Sequence, residues 1–406
     1  MLKIKSKYIL KRIFQNIKQN KYLELIKYNK KIQNKLDISL KDYKEYNQIE
    51  IDLRPISNYG SDNKFINVNE IEKQYIHIFF NNNKKERNSY LLGAKPKIQK
   101  IKIKLDYEIK SLKGLFKNCQ CLEEINFIKF NRKDIIDMSE MFIGCKNLNK
   151  INLLNMKTSK VNNMSYMFSG CSSLKEINLL NFNTANVSNM QNMFDGCTKL
   201  ANLNLLNFNT ANVANMNDMF SECSSLQKLN LLNFNTSNVI NMSYMFNNCE
   251  AIQELKLSNF DTSKVIDMGY MFYNCKTIKE LNLSNFNTTN VINMTNMFGR
   301  CRKLKILNIS NFHIKNNTRT KNMFSRCKYY LKDKGRLFFK NINDNAFEDE
   351  CRNDYDPILF DFEFEPEDDF EDDFASIHNI LEQERNFLPI IEKRPLFKIV
   401  KKKIKI

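Results

Sequence analysis

From about residue 98 to residue 330 the apolar positions of this chain fall into a pattern that repeats without slipping. Val187, Met190, Met193, Phe194 and Cys197 lead to Leu200, Leu203 and Leu205. The same types recur at Val213, Met216, Met219, Phe220, Cys223, Leu226, Leu229 and Leu231, and again at Val265, Met268, Met271, Phe272, Cys275, Ile278, Leu281 and Leu283. Cysteines stand at 119, 145, 171, 197, 223, 249, 275, 301 and 327, each 26 residues after the last. A fixed period over that length means one structural unit copied and stacked, so each Cys takes the same place in successive coils of a solenoid.

Within a unit, Val187, Met190, Met193, Phe194 and Cys197 have the spacing of one face of a helix of about three turns. Thr184 stands where it would cap that helix. Leu203 and Leu205 alternate, as on one side of a short strand. The expected fold class is therefore an α/β repeat, with one short parallel strand and one helix per 26-residue coil. Strands of successive coils stacked about 4.8 Å apart would make an array about 40 Å long. A single coil has too few apolar side chains to offset the ordering of its backbone, so stability has to come from neighbours.

The flanks differ. Residues 1–47 place Ile9, Leu10, Ile13, Phe14 and Ile17, then Leu23, Leu25, Ile26 and Ile32, at helical spacing, which predicts two short helices. Residues 48–97 alternate at Ile49, Ile51 and Leu53 and contain a β-prone run from Tyr75 to Phe80, as a cap over the open end of the array would. The array itself is expected over 98–330, with Ile98, Ile101 and Ile103 as its first strand. Residues 331–406 form a C-terminal region in which an acidic segment, 344–374, interleaves its carboxylates with Phe360, Phe362, Phe364, Phe370 and Phe374. A basic tail with Lys401, Lys402 and Lys403 ends the sequence.

The string Asn-Phe-Asn-Thr-x-Asn-Val-x-Asn-Met-x-x-Met-Phe-x-x-Cys-x-x-Leu-x-x-Leu-x-Leu, complete at 207–231, resembles the repeat of BspA-type leucine-rich-repeat proteins. The resemblance covers about residues 98–330 and implies a leucine-rich-repeat-like solenoid used in adhesion and protein interaction, often at a cell surface. Residues 9–23 are loosely similar to the helical core of an F-box, without its Leu-Pro opening or later Trp. That similarity implies a second role, as substrate adaptor of a ubiquitin ligase.

Composition changes this picture little. The formal charge of +18 is spread along the chain and not striped with aromatics, which argues against nucleic acid as partner. The N-terminus has no apolar signal core and no stretch is long enough to span a membrane, so a cytoplasmic protein is expected. Regularly spaced single cysteines read as free, small apolar fillers in a reducing compartment. The Met columns read as core rather than soft-metal ligands. His77, His313 and His378 belong to no nucleophile, base or metal constellation, and no phosphate-binding Gly-rich loop is present. No enzyme, cofactor or small-molecule substrate is expected, and the sequence is silent on oligomeric state.

What remains is a surface. Residues between the core positions of each strand should face outward, which nominates Glu176, Asn178, Leu180, Asn202, Asn204, Leu206, Lys228, Asn230 and Leu232 as partner-binding residues. Whether the leucines of that set face out or fold inward at the strand end is open at this level. The asparagines at 181, 207, 233, 259 and 285 are expected to hydrogen-bond the turns as a ladder.

Overall fold

A computed structural model describes residues 30–36, 39–57, 63–93, 98–327 and 346. The chain divides into two compact units, 1–351 and 352–406, and every described residue lies in the first. The expected helices within residues 9–26 and, apart from Ala346, the acidic segment fall outside the described residues.

Two short helices, α1 (Lys30–Leu36) and α2 (Leu40–Asn47), lead into the β-structure. Ser39 starts α2 with a capping box, its backbone N–H donating to the Asp42 carboxylate at 2.7 Å while its hydroxyl oxygen accepts from the Asp42 backbone. The cap consists of β1 (Ile49–Pro55), β2 (Asn63–Lys64), β3 (Ile76–Phe80), β4 (Leu91–Leu92) and β5 (Ile101–Leu105). Then come β6 (Leu122–Lys129), β7 (Lys150–Asn152), β8 (Glu176–Ile177), β9 (Asn202–Leu203), β10 (Lys228–Leu229), β11 (Glu254–Leu255), β12 (Glu280–Asn282) and β13 (Ile306–Asn308).

From β6 onward pairing is parallel and in register with the 26-residue period: Ile125 faces Ile151, Leu203 faces both Ile177 and Leu229, and Leu281 faces Leu307. A second parallel ladder runs along another side of the coils through single bridges, from Ser111 through Asp137, Asn163, Asn189, Asn215, Asn241, Asp267 and Asn293 to Arg319. The solenoid is thus real. Its first strand is not where the pattern put it, however, because β5 pairs antiparallel with both β1 and β3 and belongs to the cap. Ile101 and Ile103 are buried like the repeat leucines, and apolar alternation does not encode strand direction. The cap sheet, in the order β3-β5-β1-β6-β7, continues the solenoid sheet and covers its first edge.

The expected helix in each coil is absent among the described residues; a run of tight turns takes its place. Asn192 and Gly196 have φ of 53° and 67°, and the same two places are left-handed at Asp218 and Glu222, Tyr244 and Asn248, and Tyr270 and Asn274. A left-handed residue every four cannot continue an α-helix. The backbone donors then divide. Met193, Cys197 and Leu200 close turns onto the carbonyls of Met190, Phe194 and Cys197, while Met190, Asn192, Phe194 and Gly196 donate to Asn215, Asn217, Met219 and Ser221 of the next coil. Burial follows the expected face even so: Val187, Met190, Met193, Phe194 and Cys197 are all fully buried. The residue types were read correctly and the backbone that carries them was not.

Side chains repeat this coupling between coils. Phe116, Phe142, Phe168, Phe194, Phe220, Phe246, Phe272, Phe298 and Phe324 stack face to face, with neighbouring centroids 5.3 to 5.9 Å apart. Thr184 does not cap a helix. Its hydroxyl donates to the Asn209 carbonyl at 2.9 Å and accepts from the Asn209 N–H at 2.8 Å, and Thr210 does the same with Asn235. The asparagine ladder is present: the Asn207 amide reaches back to the Leu179 and Phe182 carbonyls, and Asn233 and Asn259 repeat the reach one coil on each time. Asn at these coil positions is therefore structural.

Candidate functional site

The short strands present one face to the core and one to solvent. In β9 the Leu203 side chain is buried while Asn202 and Asn204 flank it outward, and β8 and β10 repeat the arrangement. All nine nominated residues, Glu176, Asn178, Leu180, Asn202, Asn204, Leu206, Lys228, Asn230 and Leu232, are exposed and lie on adjacent coils.

The question about the leucines is answered by their exposure. Ile128, Leu154, Leu180, Leu206 and Leu232 are between 43% and 55% exposed and follow one another coil by coil, after which the column becomes Ser258, Ser284 and Ser310. The outward turn of the four leucines has a local cause: the Asn204 carboxamide oxygen accepts the Leu206 N–H at 3.1 Å, and Asn152, Asn178 and Asn230 hold Leu154, Leu180 and Leu232 in the same way. Such a turn swings residue i+2 away from the core. The Asn column therefore shapes the strip as well as flanking it. A charged column runs alongside, in which Lys150 meets Glu124 at 3.1 Å. It ends in Ile306, 55% exposed, a residue the sequence reading left out although it continues the column of Glu254 and Glu280.

The other groups that could bear chemistry are occupied structurally. The Cys197 thiol is buried and donates to the Phe168 carbonyl of the previous coil at 3.2 Å, and every repeat cysteine from 145 to 327 makes the same bond at 2.9 to 3.2 Å. Burial raises the thiols from Cys145 to Cys301, Cys145 to about 12, so they stay protonated and unreactive at neutral pH. The ten described cysteines are free. His77 of β3 sits between Glu86 at 2.8 Å and Asp106 at 3.1 Å; burial opposes its charge, but the two carboxylates prevail and hold its pKa above the ordinary value. Arg132, fully buried, binds Asp134 and the Asp106 carbonyl, and these charges tie the cap together. Among the described residues, His313 bonds the Asn311 carbonyl and Thr288, and His378 lies outside them. Among the described residues, no group of three or more His, Cys, Asp or Glu is placed to hold a metal ion. No helix among them is long and apolar enough to cross a membrane.

A parallel β-solenoid with internal Phe, Met and Cys seams and a flat outward sheet face defines the class: a leucine-rich-repeat-like repeat protein. The chain belongs to the family described as "Mycoplasma protein of unknown function, DUF285", which matches residues 110–230, 174–279 and 226–338, together more than half of the sequence. No curated protein matches it. Among solved structures it is similar to a leucine-rich repeat protein from Bacteroides ovatus ATCC 8483, with 17% identity, a TM-score of 0.24, and coverage of 50% of this chain and 65% of that one. The chain thus spans less than two thirds of that protein, and the likeness is too distant to bear on function.

Proposed function

We propose that this protein is a non-enzymatic interaction scaffold that docks a protein partner on the sheet face of its solenoid, along the strip from Ile128 to Leu232. The observation behind this reading is the strip itself. Five large apolar side chains in line, each about half exposed and the four leucines each held outward by an Asx turn, make a continuous apolar surface with a polar rim, the composition of a protein interface. The resemblance of the repeat to BspA-type proteins supports the same general role.

The test replaces Leu180, Leu206 and Leu232 with Asp. These side chains face water, so the variant should melt within a few degrees of the parent while losing the partners that the parent captures from its native cell. Asn178, Asn204 and Asn230 make poorer probes, since changing them removes the turn that places the leucines. Equal capture by parent and variant, as read by quantitative mass spectrometry, would exclude the strip as the docking face.

A further inference from the structure

The body of the array is close to neutral and its last coils are not. Residues 161–280 hold nine acids and seven bases, whereas residues 281–327 hold eight Lys and Arg and no Asp or Glu. The stacking gathers part of this charge on one corner. Lys279 and Lys305 are one period apart and adjacent, the Lys305 N–H donating to the Lys279 carbonyl at 2.7 Å, and both side chains are exposed. Arg302 and Lys303, also exposed, stand on the same corner just before β13. None of these four cations is ion-paired among the described residues, in contrast to Lys276, which meets Glu250 at 2.6 Å. Beside them is Ile306, the exposed apolar residue that pairs with Glu280 of the preceding strand; Glu280 is the one acid between residues 276 and 327.

We propose that this corner is a second docking surface, distinct from the leucine strip, for an acidic protein segment that also carries an apolar side chain. Charge complementarity argues for the acid, since four cations within two coils, without an ion pair among the described residues, raise the local positive potential and would gain most from carboxylates. Ile306 argues for a peptide, because it offers an apolar contact in the middle of the charge. Nucleic acid is the poorer occupant. Sequence-tolerant binding of a single strand needs free aromatic faces for stacking, and the described tyrosines nearest these coils are engaged: Tyr270 stacks on Tyr244 at 4.6 Å, and Arg300 covers Tyr273.

The sequence supplies a probe of the right chemistry. Residues 356–374 contain ten acids and five Phe, with Phe360, Phe362 and Phe364 alternating with Asp361, Glu363 and Glu365. A labelled synthetic peptide of that sequence is titrated with the full-length protein and followed by fluorescence anisotropy. A second receptor is a full-length variant with Asp361→Asn, Glu363→Gln and Glu365→Gln, in which the protein's own 356–374 sequence carries three fewer charges. The expected result is saturable binding to at least the second receptor, weakened about tenfold or more by salt, by Phe→Ala changes in the peptide, and by Lys303→Glu with Lys305→Glu in the protein. The charge-reversed protein should keep its melting temperature. No binding to either receptor at low salt overturns the proposal. So does binding that ignores Lys303→Glu with Lys305→Glu, or a single-stranded oligonucleotide of equal charge that binds as well as the peptide.

Discussion

The residues of this fold are chosen for what they do across coils, and two of them can be tested singly. Cys197 looks like filler, yet its thiol answers a carbonyl of the previous coil. Changing it to Ala leaves a void and removes one of the two hydrogen bonds to the Phe168 carbonyl, which keeps the Cys171 N–H, and should cost about 1–3 kcal/mol, read by denaturant melting. The buried thiols from Cys145 to Cys301 should react with a maleimide only as fast as the protein unfolds. Asp218 is the reverse case, a residue the site does not favour. Burial, then the neighbouring Asp195, raises its pKa to about 7, so the folded chain holds a proton that the unfolded chain releases near pH 4. Stability should therefore fall as pH rises from about 4 to about 7 and then level off. Asp218→Asn, which puts there the residue found at the equivalent Asn192, should gain on the parent over that interval, as seen by thermal melting at stepped pH. A constant difference between the two across the range would contradict the assignment.

The coil's turn segment shows what sequence can and cannot give. Which side chains point inward was legible, because burial depends on residue type and period, and the Val, Met, Phe and Cys columns are all buried. The backbone path was not legible. Apolar spacing of three, three, one and three suits a helix, and only the left-handed residues, mostly Asn, Tyr, Asp or Gly, distinguish the turn run from it. Strand direction was hidden for a similar reason, since β5 alternates like a repeat strand but pairs antiparallel. The exposed leucines could not be placed until the Asx turn that directs each of them was seen. Gly196 tests the turn run directly: with φ of 67° and an added Cβ only 3.3 Å from the Gly170 backbone, Gly196→Ala should destabilise by about 1–2 kcal/mol in a melting experiment. In the cap, the raised pKa of His77 implies stability that is fully present below about pH 6.5 and lost as pH rises through the folded-state value. Resistance of the β3–β5 region to proteolysis should decline on the same path, and His77→Gln should remove that pH dependence.

At the scale of the whole array, a solenoid has two open ends, and the first is closed here by continuing the sheet. One side of β6 belongs to β7 and the other to β1, where Ile51 lies opposite Phe127 and Leu53 opposite Ile125. Those four side chains are fully buried or nearly so. Removing residues 1–106 would therefore leave an eight-residue edge with unpaired backbone groups and newly bared Ile125 and Phe127, the arrangement that invites pairing with another molecule. The rest of the stack keeps its own bonds, since the bridge ladder from Ser111 to Arg319 and the Phe column do not involve the cap strands. The shortened protein should thus remain folded by circular dichroism but self-associate with rising concentration in sedimentation velocity, while the full chain does not change its state over the same range. A shortened chain that stays monomeric and melts like the parent would mean that the cap strands do not protect the edge, and that the stack is closed by something other than sheet continuation.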